Sequence, residues 1–502
     1  MVLLPSPDKC RAWLQMGLLA ALPAFAFAGD AAAQSTSPTL PDAPVPAFAA
    51  ALQPSPPPYE SSQAAEASAP TMFPHPDNTR YFIAGQANII FQSHGPFHSP
   101  YQGPNSLLPR GEYKTSLLGT IYMAYQLNRG PNYAADAIFD VEAADGRGIS
   151  EALGVAGMTN LDVVRNPNLG KLPYLARYEL HQVIGLSNWE VDSDRGPFSL
   201  ATKLPARRIE LHVGRMGLPD FFDINSVGSD SHLQFMNWTV DNNGAWDYAA
   251  NTRGYTDAAV AEYVDRAFTA RYGIAAMPVV ANGEDLQLEF RRANGQNVEF
   301  ELRHGPGGLV KSMAQRRGVV RLLGYLNHAN MGDYREQNIK FIEHLTPTPD
   351  ITAHPLQSTV KYGVGFNMEQ EVSDNARVYG RFGWNEGQHE SFAYTEVDQT
   401  FAVGADYVGK SWGRPEDKAG LTLATNAIKR DHQAYLKLGG LGFLLGDGNL
   451  NYAREDILEG YYNLHTWRGV YYALDMQYID HPGYNQDRGP VLVESVRMHV
   501  DF

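Results

Sequence analysis

From Arg80 onward the chain alternates between apolar and polar residues with a period of two. In Tyr113 to Leu127 the odd positions are Tyr113, Thr115, Leu117, Gly119, Ile121, Met123, Tyr125 and Leu127, with Lys114, Ser116, Thr120 and Gln126 between them. A helix would mix these sets on shared faces, whereas a strand separates them. The pattern returns in Tyr174 to Leu186, where Tyr178, Leu180, Gln182, Ile184 and Leu186 oppose Arg177, Glu179 and His181. It returns at 206–215, with Arg208, Glu210 and His212 on one face. At 285–303 two strands are expected around Ala293-Asn294-Gly295, because Asn-Gly between alternating runs favours a hairpin. Further strands are expected at 316–327, 360–370, 376–385, 398–409, 418–427, 454–464, 468–478 and 490–502. The total is about sixteen or seventeen, many of them about ten residues long, the span of a tilted membrane strand. No long amphipathic helix interrupts them, though Ile149 to Asn160 reads as a short helix in a loop.

These strands predict an all-β fold, a transmembrane antiparallel β-barrel of about 16 strands. The expected inner face is charged with both signs. It offers Asp136, Asp140 and Glu142, then Arg177, Glu179 and His181, then Arg208, Glu210 and His212. Asp265, Arg271, Glu299, Glu301, Arg303, Arg377, Arg381, Asn385, Asp475 and Gln477 follow. Burying so many charges dry costs several kcal/mol each unless they are paired, so the pattern implies a hydrated interior. Tyr81, Phe91, Tyr113, Tyr125, Tyr472 and Tyr478 fall near strand ends on the other face, as an aromatic girdle requires.

Composition agrees. Of 502 residues, 19% are charged and 11% aromatic, with 47 glycines and 32 prolines. Mean hydropathy is −0.33. Past the first thirty residues no run of about 18 apolar residues appears, which excludes a multi-helix membrane protein and leaves a barrel open. The first 28 residues read as a secretory leader: Lys9 and Arg11, an apolar stretch from Met16, and Ala26-Phe27-Ala28 as a cleavage site. Ala31-Ala32-Ala33 is a second candidate site. The only cysteine, Cys10, lies inside this leader, so the mature chain would hold no disulfide and no cysteine catalyst. Residues 29–75, rich in Ala, Pro and Ser, read as a disordered periplasmic spacer, and 76–502 as the barrel. Net charge is −15 without basic runs, which argues against a nucleic-acid partner. The implied location is the outer membrane of a Gram-negative bacterium, with membrane lipid as a partner. The last strand alternates Val496, Met498, Val500 and terminal Phe502 with Ser495, Arg497, His499 and Asp501. A chain ending in this way carries the kind of address that the barrel assembly machinery reads.

Several stretches resemble the carbohydrate-selective porin (OprB-like) family. They are Phe97-His98-Ser99-Pro100-Tyr101-Gln102-Gly103-Pro104-Asn105-Ser106-Leu107, Asp220-Phe221-Phe222-Asp223-Ile224-Asn225, Phe235-Met236-Asn237-Trp238, Asn327-His328-Ala329-Asn330-Met331-Gly332, Gly446-Asp447-Gly448-Asn449-Leu450-Asn451-Tyr452, and Arg488-Gly489-Pro490. They occur in order from about Arg80 to Phe502. The resemblance implies a sixteen-stranded outer-membrane barrel that passes mono- and oligosaccharides by diffusion, with loops folded in as a constriction and no catalytic residues. Monomer and self-associated trimer both stay open.

Sugar selectivity needs aromatic faces for pyranose C–H surfaces and polar groups for hydroxyls. Trp238 and Trp246, beside Asp241, Asn242, Asn243 and Asp247, offer both, as do Trp384 with Asn385 and Glu386, and Trp412 with Arg414. Taken singly, each tryptophan reads as a girdle residue; taken together, at least one is expected along the pathway. Arg377 and Arg381, with Arg177 and Arg208, would form a basic wall opposite Glu179, Glu210 and Asp140 that orients polar solutes, or plain salt bridges that stiffen the barrel. On the first reading, replacing Arg377 and Arg381 by Ala shifts ion selectivity toward cations.

Two other readings compete with the channel. One is a secreted or outer-membrane glycan hydrolase using Asp140 and Glu142, since a retaining glycosidase needs two carboxyl groups about 5 Å apart. The other is a structural barrel plugged by the 144–173 and 328–358 loops. His94 and His98 lack the spacing of a zinc site. Gly440, Gly442 and Gly446 lack the βαβ setting of a nucleotide loop. Asp447, Asn449 and Asn451 lack the distant Glu of a calcium loop. No motif calls for a metal or cofactor.

Overall fold

Sixteen strands pair edge to edge into one closed antiparallel barrel. The computed structural model describes residues 71–502 except 131, 164–168, 306–315 and 355–357. The leader and nearly all of the 29–75 segment lie outside the described residues.

In chain order the barrel begins with β1 (Tyr81–His94), β2 (Glu112–Gly130), β3 (Tyr133–Gly146) and β4 (Tyr174–Gly185). Next come two short strands outside the barrel, β5 (Glu190–Asp192) and β6 (Lys203–Pro205), paired only with each other. The wall resumes with β7 (Arg208–Met216), β8 (Thr256–Val264), β9 (Phe268–Ala275), β10 (Asn294–His304), β11 (Gly318–Ala329) and β12 (Thr359–Glu371). It is completed by β13 (Ala376–Asn385), β14 (Gln399–Val408), β15 (Lys418–Ala427), β16 (Glu455–Trp467), β17 (Val470–Asp480) and β18 (Val491–Asp501). β18 closes on β1, from Gln86 opposite Asp501 to His94 opposite Val493. Closure leaves no edge of the barrel sheet unpaired among the described residues, as a wall immersed in hydrocarbon requires. The seam continues to the last residue: Phe502 N–H donates to the Gly85 carbonyl at 2.8 Å. The Phe502 ring lies over Gly85 where a Cβ would stand, so only glycine lets the terminal ring seat there.

The period of two is a lipid face and a lumen face. Leu117, Ile121 and Tyr125 on β2 are exposed on the outside, while Ser116, Thr120 and Gln126 are buried inside. On β18, Val496, Met498 and Val500 face outward and Ser495, Arg497 and His499 face inward. Tyr81, Phe91, Tyr113, Tyr125 and Tyr472 are all exposed at strand ends, and Phe91 stacks on Tyr113 at 6.0 Å. Several connections at one end are tight, such as Arg468-Gly469 between β16 and β17, while residues 186–207 at that end carry β5 and β6. At the other end they are long, and several fold back into the lumen.

Two expected elements do not form. Asn294-Gly295 opens β10 instead of turning a hairpin, and Leu286–Phe290 belongs to a loop. Both edges of β10 are already taken by β9 and β11, so the alternating run before it has no edge to join. Its ladder contact shrinks to a single bridge between Pro278 and Leu286. The helix expected over Ile149 to Asn160 reduces to one 3-10 turn at Ile149–Glu151. Ser150, Glu151 and Ala152 all have positive φ, which breaks the helix at once.

Candidate functional site

The loop between β7 and β8 is far too apolar for a solvent-facing loop. It carries Phe221, Phe222, Phe235, Met236, Trp238, Trp246 and Tyr248, and all are buried. The loop runs inside the barrel and is tied to the wall at many points. Asp223 N–H donates to Glu299 on β10 at 2.7 Å, and Ser226 N–H to Glu369 on β12 at 2.6 Å. Met236 N–H donates to Glu459 on β16 at 2.6 Å, and Asn237 Nδ2 to Gln477 on β17 at 3.0 Å. Arg381 on β13 pairs with Asp223 at 2.9 Å, and Arg497 on β18 donates to the carbonyls of Ser231 and Gln234. Inward charges and amides on six strands therefore satisfy loop backbone and polar side chains that would otherwise be buried without partners.

Two further segments pack against this loop. In the 147–173 connection, Gly157 N–H donates to Glu455 at 2.7 Å, and the Asn160 carbonyl accepts from Trp238 Nε1 at 2.7 Å. In the 386–398 connection, the amides of Phe392, Ala393 and Tyr394 converge on Asp247, and the Tyr394 ring stacks on Trp238 at 5.7 Å. Three of the motifs that carried the family resemblance, 97–107, 446–452 and 488–490, meet at the loop end. Arg488 donates to the Tyr101 and Leu107 carbonyls, Asn105 N–H donates to the Gly446 carbonyl at 3.0 Å, and Asn485 Nδ2 donates to Tyr101 Oη at 2.7 Å. These segments lock one another at the loop end of the barrel.

Two open spaces lie on one side of the barrel among the described residues. At the loop end a hollow of about 470 Å³ is lined by Lys114, Asp145, Arg147, Glu151, Lys171 and Arg253. Toward the tight-turn end lies a cavity of about 450 Å³ walled by β4, β7, β8 and β9 and by the β5–β6 hairpin. That hairpin tucks into the barrel mouth: the Phe198 ring lies under the Arg177 guanidinium at 4.5 Å and edge-on to Tyr122, and Leu200 N–H donates to Asp136 at 3.1 Å. Between the two spaces stand Glu142, bonded by the Tyr174 and Tyr255 hydroxyls, and Arg177, bonded by Asp140, Glu179 and Asp220.

Six of the residues singled out in the sequence come together at the lower cavity: Arg177, Glu179, His181, Arg208, Glu210 and His212. The separate basic and acidic rows do not form there. Each basic side chain sits directly against an acid, with Arg208 Nε 2.6 Å from Glu210 and His212 Nδ1 2.6 Å from Glu179. The other five lie elsewhere. Trp238 and Trp246 are not girdle residues: Trp246 is 1% exposed and donates to Asn297 at 2.9 Å inside the lumen. Arg381 is buried as a loop anchor, and Arg377 bonds Asp406 on β14 at 3.1 Å. Asp475 is buried on β17 beside Gln477 at 3.2 Å. Trp384 and Trp412 do occupy outer positions near strand ends, Trp412 stacked on Tyr407 at 5.7 Å. The inner charges are thus neutralised largely by pairing and by loop amides. The main filling segment is the β7–β8 loop rather than 144–173 and 328–358 alone. Glu142, Tyr174, Tyr255 and Phe198 were missed by sequence reading as one group; Glu142 was noticed as an inward-facing charge and as a partner for Asp140, and the structure gives those two carboxylates different partners.

Three comparisons bear on this architecture. The family model described as "Carbohydrate-selective porin, OprB family" matches residues 134–502. Among solved structures, OprB of Pseudomonas putida superposes with a TM-score of 0.63 at 16% identity, covering 84% of this chain and 94% of that one. OccK11 (OpdR) of Pseudomonas aeruginosa matches at 9% identity and TM-score 0.41 (84% and 96% covered), and the outer-membrane channel DcaP of Acinetobacter baumannii at 8% and 0.43 (84% and 97%). The last two likenesses are too loose to carry weight. No curated protein sequence matches the chain. The family match spans most of the barrel, and the fold agrees with it independently: the chain belongs to the OprB family of carbohydrate-selective porins and is a carbohydrate channel of the outer membrane.

Proposed function

We propose that sugars cross this channel along the wall formed by β2, β3, β4, β7, β8 and β9. The carrying observation is the pair of spaces on that side, one at each end, with the β7–β8 loop packed against the opposite wall. A solute enters beside Lys114, Asp145 and Arg253 and passes Glu142, Tyr174 and Tyr255. It then meets Arg177, Asp140 and Asp220 and leaves past Phe198 through the lower cavity. The hydroxyls and charges along this line can exchange hydrogen bonds with sugar hydroxyls, while Tyr174, Tyr255 and Phe198 supply ring faces. A line of paired opposite charges orients a neutral polar solute.

The same reading has the protein act without catalysis. Asp140 is bonded to Arg177 at 2.8 Å and Glu142 to two tyrosines, so each carboxylate has a structural partner. It also assigns residues 1–28 to export, 29–75 to spacing, and Phe502 to recognition by the assembly machinery. The seating of Phe502 at the seam supports the last point.

Liposome swelling tests the pathway. Glucose should enter faster than a size-matched amino acid, and Arg177→Ala or Glu142→Gln should abolish that preference in a folded barrel. Unchanged preference in both variants would remove this wall from the pathway.

A further inference from the structure

The register of the wall brings two histidines and two glutamates to one inward patch. His181 on β4 is directly opposite His212 on β7, and Glu210 on β7 is directly opposite Glu262 on β8. The two imidazoles stack at 4.3 Å between centroids, 8° from parallel. His212 Nδ1 is held by Glu179 at 2.6 Å, which fixes the ring and leaves Nε2 buried with no hydrogen-bond partner, 3.6 Å from Glu262. His181 Nε2 faces Glu210 Oε2 at 2.8 Å, and the other oxygen of Glu210 is held by Arg208 at 2.6 Å. His181, Glu210 and His212 each offer one ligand atom, all within 4.8 Å of one another, and all three line the lower cavity.

We propose that His181, Glu210 and His212 form a divalent transition-metal site in the channel wall, selective for Zn²⁺ or Cu²⁺ over Ca²⁺ and Mg²⁺. Two imidazoles and one carboxylate are the donor set of three-ligand, open zinc sites, whereas Ca²⁺ takes six to eight oxygens. The metal replaces the proton shared between His181 Nε2 and Glu210 Oε2, and takes up the unpartnered Nε2 of His212. Arg208 restricts Glu210 to one oxygen, and Arg271, 2.6 Å from Glu262, draws that carboxylate away. The remaining position opens to the cavity. Glu179 acts as the carboxylate that orients a ligating histidine from behind, a positioning residue rather than a ligand. The positive charges of Arg177, Arg208 and Arg271 oppose the cation, and the four carboxylates of Glu179, Glu210, Glu262 and Asp136 around the patch outnumber these three.

A metal here would narrow the lower cavity, and that consequence rests on the proposed pathway; binding itself does not. Binding is therefore measured directly, by titrating Zn²⁺ into the metal-free full-length protein and by anomalous diffraction from zinc-soaked wild-type crystals. The expected result is one strong site per barrel, with anomalous density beside the ligand atoms of His181, Glu210 and His212. His181→Ala with His212→Ala should lose it, and Glu179→Gln should weaken it about tenfold. Ca²⁺ should not compete. Absence of the anomalous peak, full zinc binding by the folded double variant, or equal competition by Ca²⁺ would overturn the site. The diffraction experiment uses wild-type protein and decides the matter even where the variants fail to fold. Zinc bound at this site without a fall in conductance would support the site and overturn the pathway.

Discussion

His232, on the β7–β8 loop, lies 3.2 Å from Asp162, on the β3–β4 connection, and stacks on His499 of the wall at 5.3 Å. Burial alone pulls the imidazole down, but the Asp162 carboxylate outweighs it and holds the pKa up at about 9 against an ordinary 6.5. A group whose pKa is raised on folding stabilises fully below its unfolded value and loses that contribution as pH rises through the folded one. The link between the two in-folded segments should therefore weaken from pH 6.5 upward and be gone above about 9. Single-channel current noise should rise over that window in the wild type and stay flat in His232→Gln; a flat wild type would refute the link. Arg381 carries a different prediction. Its removal leaves the Asp223 carboxylate buried without its ion-pair partner, a loss of roughly 3–5 kcal/mol. Arg381→Ala should lower thermal stability and free the loop, raising conductance. The cation shift expected from replacing Arg377 and Arg381 should come from the Asp406 and Asp223 carboxylates that lose their partners, read as a change in reversal potential. At this scale the sequence revealed which residues point inward, because alternation alone sets that. It did not reveal partners: nothing near Arg381 in sequence announces Asp223.

The strands were the most legible elements, since a period of two survives whatever lies beside it. β13 and β15 match the sequence reading residue for residue. The exception, Leu286–Phe290, had the right period and no free edge, and edges are a property of the whole sheet. The in-folded loops were legible only in composition. Seven large apolar residues between Phe221 and Tyr248 are too many for a loop in water, and that excess was the available sign of burial. The β5–β6 hairpin gave no comparable sign; its docking depends on Phe198 finding Arg177 and Tyr122 from two other strands. Replacing residues 190–205 by a short Gly-Ser linker should raise conductance, because the hairpin stands in the turn-end mouth. An unchanged conductance would mean that it lies aside from the flow.

For the whole molecule, the closed wall and family membership fix a carbohydrate channel, and the two spaces that line the proposed pathway lie on the side away from the β7–β8 loop anchors. The pathway is the claim on which most of the chemistry depends. Cys10 is the only cysteine in the chain, so with Cys10→Ser single reporters can be placed at will. Ser193 lines the lower cavity, whereas Asn463 is buried in the opposite wall on β16. The most direct test is to record single channels of Ser193→Cys and Asn463→Cys before and after a bulky thiol reagent. A sharp fall in conductance and glucose flux for Ser193→Cys, with Asn463→Cys unaffected, is the predicted result. Block at Asn463→Cys with free flow past a labelled Ser193→Cys would contradict it.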